Sequence, residues 1–181
     1  MGGKHSRGKG QRGEREVVRW FAPLLPDGWQ VRRALPYEQG HDLRFLAPDG
    51  TRAPGCWAIE VKRYADWSVV QELQSGHPSQ RWLGWWEQTQ RQAEAAGRAP
   101  MLCTRGDRQP WWVWTRYGLG AARPRVLVLL PDGQGVCGTL LEHCAESVQQ
   151  HLLEGHCEWS DRAGAEAAGT GAPDSRGKAL G

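Results

Sequence analysis

The sequence predicts a mixed α/β (α+β) domain with one central mixed sheet flanked by helices. Three observations lead there. Residues 11–25 repeat apolar side chains at three- and four-residue spacing, the period of an amphipathic helix. Residues 55–64 (GCWAIEVKRY) alternate strictly, with Trp57, Ile59 and Val61 against Ala58, Glu60 and Lys62, the period of a strand. Residues 80–96 form a long helical pattern set off by Ser79 and Gly97, and further strand-like runs follow it. Helices and strands interleaved along 181 residues fit one domain with extensions.

The elements follow in order. Residues 1–10 are mostly Gly, Lys and Arg and predict a flexible basic arm. The first helix places Val17, Val18, Phe21, Leu24 and Leu25 on one stripe and ends at the turn Pro26-Asp27-Gly28. Strands are expected at 29–34 and 42–47, with Pro48-Asp49-Gly50-Thr51 turning the chain toward the 55–64 strand. A short helix is expected at 69–73, and the long one begins after its N-cap Ser79. Strands at 100–104, 111–115 and 125–130 come next, then an amphipathic helix at 139–153. The domain plan is therefore an arm at 1–10, a core at 11–131, a helical extension at 132–160 and a disordered tail at 161–181, where Gly, Ala, Ser and charge dominate.

Composition narrows the class. No apolar stretch approaches the roughly 20 residues needed to cross a bilayer, and the N-terminus lacks the apolar core of a secretory signal. Five cysteines at irregular spacing predict free thiols in a reducing cytoplasm. Cys137, His143, Cys144, His151, His156 and Cys157 lack zinc-ligand spacing. On a helix, Cys144 and His151 would stand about 10 Å apart. The net charge of +3 hides an asymmetry, since residues 132–181 carry −5 and residues 1–131 carry +8. A basic body with an acidic tail suits a polyanionic partner such as DNA, although a solvated surface has the same composition. Tryptophan is the outlier at eleven residues, clustered at 82–86 and 111–114; core packing is its first reading and base stacking its second. The 111–115 strand's exposed face is a candidate dimer contact on its aromatic content.

The chemistry gathers between Glu14 and Lys62. Alternation puts Glu60 and Lys62 on one face of an otherwise apolar strand, a costly place for charge unless the face is open or a site. A hairpin pairing Ala47 with Gly55 would set Asp42 opposite Glu60, a repulsion that a cation between them relieves. Oxygen ligands suit Mg²⁺, with Mn²⁺ able to substitute. Glu14 lies one turn before Val18 and two before Phe21, on the stripe that meets the sheet, whereas Glu16 reads as a surface charge. Three carboxylates and a lysine suit phosphodiester hydrolysis: the carboxylates hold the metal, and the lysine offsets charge on the phosphoryl oxygens.

This set resembles the PD-(D/E)XK nucleases: Glu14 in a helix, Gly40-His41-Asp42-Leu43, then Ile59-Glu60-Val61-Lys62. Lys9-Gly10-Gln11-Arg12-Gly13-Glu14-Arg15-Glu16 is similar to the opening of archaeal-type and phage Holliday-junction resolvases, and the likeness spans about residues 9–115. His41 departs from it, standing where proline often precedes the aspartate. The resemblance implies a restriction-endonuclease-like αβββαβ core, a homodimer, Mg²⁺-dependent cleavage of branched DNA in recombination or repair, and an accessory glutamine from the long helix. Gln88 is that candidate, with Gln92 as its rival. Arg7, Lys9, Arg12 and Arg15 are the expected phosphate contacts. The alternatives are a repair or restriction-type nuclease acting on flaps, forks or duplex, and a non-catalytic DNA-binding protein on the same core.

Overall fold

The computed structural model describes residues 3–35, 38, 40–51, 57–74, 77–116, 119 and 126–154. The expected tail at 161–181 lies outside them. So do the side chains of Arg7 and Lys9 and most of the 48–56 connection.

Helix α1 (Gly3–Phe21) opens the chain. Its backbone is helical from Gly3, where the sequence reading expected a flexible arm. Once the 11–21 stripe is anchored on the sheet, each preceding Lys, Arg or Gln need only propagate a helix already nucleated. Val17 and Phe21 are fully buried, and Phe21 meets Phe45 edge to face with ring centroids 5.7 Å apart. Gly13 lets the helix approach closely: a Cβ there would sit 3.2 Å from the Arg63 Cβ and 3.3 Å from the Trp111 ring.

Strands β1 (Gln30–Arg33) and β2 (Leu43–Leu46) pair antiparallel as a separate two-stranded sheet, with Arg33 opposite Leu43 and Gln30 opposite Leu46. This corrects the expected hairpin of 42–47 with 55–62. The Ala34 amide donates to the Asp42 carbonyl at 2.7 Å and continues the β1–β2 pairing, so β2 spends its ladder on β1. The apolar Leu43 and Phe45 of β2 are buried in the core beneath α1.

The central sheet has five strands: β3 (Trp57–Tyr64), β4 (Ala99–Gly106), β5 (Trp112–Thr115), β6 (Val126–Leu129) and β7 (Gly135–Leu140), in the order β3-β4-β5-β7-β6. The β3–β4 pair is parallel and the others are antiparallel, so the sheet is mixed. Strand β7 lies inside it, although the sequence reading assigned those residues to a helical extension. Its glycines obscured the strand signal, and one of them is required: a Cβ on Gly138 would lie 2.4 Å from the Trp114 ring. The last helix, α4, is correspondingly shorter than expected (Ala145–Glu154).

Helix α2 (Val69–Gln74) and helix α3 (Gln80–Ala96) make the crossover from β3 to β4. The Ser79 hydroxyl accepts from the Trp82 amide, and Gly97 closes α3 in the left-handed conformation at φ 61°. Two cores result, one on each side of the sheet. On one side α1, β2 and α4 pack against Ile59, Val61, Met101 and Val113. On the other, Trp82, Trp85 and Trp86 of α3 pack against Leu102, Trp112 and Trp114. Every residue of β5 is buried, which removes the 111–115 strand as a dimer surface. The large aromatics here close a core, each buried ring removing apolar area from water at about 25 cal/mol per Å².

Candidate active site

Strand β3 is an edge strand in the described sheet, and its free edge is where the charged residues meet. The Asp42 amide donates to the Ile59 carbonyl at 2.9 Å, and the Val61 amide donates to Asp42 Oδ2 at 2.8 Å. One residue thus satisfies two backbone groups that a neighbouring strand would otherwise take. This contact, rather than a hairpin ladder, brings Asp42 to Glu60. His41 anchors the turn ahead of it: it is buried, its Nδ1 lies within hydrogen-bond reach of the Leu43 carbonyl at 2.7 Å and of Arg44 at 2.8 Å, and Arg44 donates to the His41 carbonyl at 2.8 Å. A packed histidine fixes this bend where a proline would fix it by ring geometry.

Glu60 and Lys62 lie on the α3 face of β3, as alternation requires. Glu60 is only 3 % exposed. Its Oε1 accepts from Lys62 Nζ at 2.5 Å and from Gln88 Nε2 at 2.9 Å. Lys62 also donates to Gln88 Oε1 at 3.2 Å, so the three side chains close a ring of hydrogen bonds. Gln88, not Gln92, makes these contacts. The other oxygen, Glu60 Oε2, is buried with no partner among the described residues. An ionised oxygen in that state is costly unless a cation occupies the space beside it.

Asp42 carries the same strain electrostatically. Burial, then the neighbouring charge of Glu60, push its carboxyl up to about 7; the Val61 amide pulls the other way. Two mutually repelling carboxylates lining one cleft fit a divalent cation, which would neutralise both. Glu14 lines the same cleft of about 420 Å³, between α1 and the β3 edge, but its carboxylate is held by Arg33 Nε. Among the described residues, no three His, Cys, Asp or Glu side chains form a ready metal cage. The residues therefore fit the ion through the Asp42–Glu60 pair, and Glu14 joins them only if Arg33 releases it.

Two features of the site escaped the sequence. Arg33 was an anonymous strand residue. Glu16, read as a surface charge, accepts from Arg63 at 2.9 Å, from Arg105 at 2.7 Å and from Trp111 Nε1 at 3.3 Å, with Arg12 at 3.4 Å. It clamps α1 to β3 and β4, and thereby sets where Glu14 stands. The i,i+4 spacing of Arg12 and Glu16 was the available signal, but it reported only the weakest of these contacts. Arg12 and Arg15 are exposed on α1, and Arg15 donates to the Gln11 carbonyl at 3.1 Å.

The family described as phage putative PDDEXK endonuclease matches residues 5–121. A solved structure of Hjc, a Holliday junction resolvase from the archaeal hyperthermophile Archaeoglobus fulgidus, is similar at 18% identity and a TM-score of 0.34, covering 59% of this chain and 76% of that one. No curated protein matches the chain significantly. PD-(D/E)XK nucleases generally use divalent metal ions. Among the described residues no helix is long and apolar enough to cross a membrane. The matched segment contains Glu14, Asp42, Glu60, Lys62 and Gln88, and the chain belongs to the phage PDDEXK endonuclease family.

Proposed function

We propose that this chain is a Mg²⁺-dependent DNA endonuclease acting on branched DNA, with the Holliday junction as its substrate and a homodimer as its working form. The observation that carries the catalytic part is the half-buried Asp42 beside the buried Glu60, whose Oε2 has no partner among the described residues, with Lys62 next to it. Mn²⁺ would substitute for Mg²⁺ at an all-oxygen site.

Asp42 and Glu60 would hold the ion, with Glu14 as a third carboxylate once freed from Arg33. A divalent ion there supplies Lewis acidity toward the scissile phosphate and lowers the pKa of water. Lys62 directs its ammonium at the charge that builds on the phosphoryl oxygens. Gln88 holds Lys62 and Glu60 in register, so neither must reorganise during the reaction. Arg12 and Arg15, with Arg7 and Lys9 before them, bind phosphates along the approaching strand without reading sequence. The junction preference rests on the resemblance of residues 9–16 to the resolvases.

The test is cleavage of a synthetic four-way junction beside a flap and a linear duplex, in Mg²⁺ at one salt concentration. The expected result is junction cutting that falls by about a thousand-fold in Asp42→Ala and in Glu60→Ala. Undiminished cutting in either variant overturns the site, and preferential cutting of the flap or the duplex overturns the junction preference.

A further inference from the structure

Alternation on β3 carries the Glu60–Lys62 row one step further, to Tyr64, roughly 7 Å beyond Lys62 along the same face. Tyr64 lies on the rim of the cleft together with Ala65 and Asp66. It is 40 % exposed, while the Trp85 ring behind it is 8 % exposed. The two rings stack with centroids 4.9 Å apart and planes 22° from parallel, and Trp67 supports Trp85 from a further 6.1 Å. The Arg81 guanidinium sits 5.7 Å from the Tyr64 ring centroid and is held there by Asp66 at 3.1 Å.

Among the described residues, the rings of Trp82, Trp86, Trp112 and Trp114 contact one another inside a core. At Tyr64 a partly exposed ring is backed by tryptophans and covered only by the exposed side chain of Arg81, which a base can displace, at the mouth of a charged cleft. The Arg81 charge is matched by Asp66, so the patch is suited to a flat neutral group rather than to a phosphate. Nucleobases are such groups, and stacking on aromatic rings accepts any of them because each has a π face. Within a duplex the bases are already stacked on one another, so the occupant must be a base that is unpaired or readily unstacked.

We propose that Tyr64, backed by Trp85 and flanked by Arg81, is a stacking platform for one unpaired nucleobase next to the scissile phosphate at Lys62. The proposal rests on the nuclease reading and deepens it, because selection for an unstacked base at the cut is a physical basis for preferring branch points over plain duplex.

The experiment uses two forked DNA probes that differ at one branch-point nucleotide, an unpaired 2-aminopurine in one and an abasic sugar in the other. Each is titrated with the full chain in Ca²⁺. The wild-type chain should bind the base-bearing probe about ten-fold tighter and quench its fluorescence. Tyr64→Phe should keep both effects. Tyr64→Ala should bind the two probes equally, and Tyr64→Leu, which still covers Trp85 but has no ring, should do the same. A base preference that survives in Tyr64→Leu, or that is missing from the wild type while junction cleavage is intact, overturns the platform alone. A wild-type chain that neither binds the forks nor cuts a junction overturns the nuclease reading with it.

Discussion

The two faces of β3 use one strand for opposite purposes. Toward α1, Trp57, Ile59 and Val61 lie at 5 % exposure or less among Val17, Phe21, Leu43 and Phe45. Toward α3, Glu60 and Lys62 meet Gln88, one turn along the helix from the tryptophans that cover the rest of the sheet. On the first face the one charged side chain, Arg63, is paired across to Glu16 of α1 at 2.9 Å. The second keeps a buried carboxylate oxygen with no partner among the described residues and an aspartate displaced far above its ordinary range. The same helix, α3, closes the sheet with indoles where no chemistry is needed and with an amide where charge must be held. A strained polar patch supported by a well-packed apolar one is the arrangement expected when function is purchased with stability.

Substitutions on the two faces should therefore fail in opposite ways. On the polar face, Glu60→Gln should lower cleavage by about three orders of magnitude yet raise the melting temperature measured in chelator, since an amide relieves the repulsion on Asp42. A melting temperature that drops would show that Glu60 stabilises the fold rather than straining it. On the apolar face, Ile59→Ala should cost about 2–5 kcal/mol of unfolding free energy in urea titration. Its residual folded fraction should still bind metal; a selective loss of metal binding would mean that the faces are not separable.

The pH dependence sharpens the contrast. Asp42 titrates near 7 in the folded chain and near 4 in the unfolded one. Between those values the folded state holds more protons, so this group lowers stability as pH rises. In chelator, the wild-type melting temperature should fall between about pH 4 and 7 relative to Asp42→Asn, and saturating Mg²⁺ should abolish the difference. Parallel curves for the two proteins would remove the electrostatic strain from the account. A smaller effect is expected at the centre of the sheet: Gly138→Ala, whose methyl meets the Trp114 ring, should cost about 1–3 kcal/mol in urea titration without altering the metal affinity of the remaining folded protein.

Much of this was legible in the residues. Alternation over 57–64 separates the two faces, the Ser79 and Gly97 caps delimit α3, and the stripe through Val17 and Phe21 orients α1. Those signals are local, and local periodicity survives without knowledge of the partners. The choice of partner strand is not local. Whether β2 pairs with β1 or β3 depends on packing between distant segments, and both pairings present the same alternation. The contact between Asp42 and Glu60 is consequently reached by a different route from the expected hairpin, through backbone hydrogen bonds at the β3 edge. Strand β7 was hidden because Gly135 and Gly138 weaken its pattern for reasons that lie in its neighbours, Leu127 and Trp114. The Glu16 clamp was hidden because its partners Arg63 and Arg105 lie 47 and 89 residues away.

The central claim is that the Asp42–Glu60 pair on the polar face is a divalent-cation site, and calorimetric titration of Mn²⁺ into the full chain without DNA tests it most directly. Saturable binding with a measurable heat is expected in the wild type, at least ten-fold weaker in both Asp42→Asn and Glu60→Gln, and little changed in Arg15→Ala. Mn²⁺ affinity that is the same in the wild type and both carboxylate variants would contradict it.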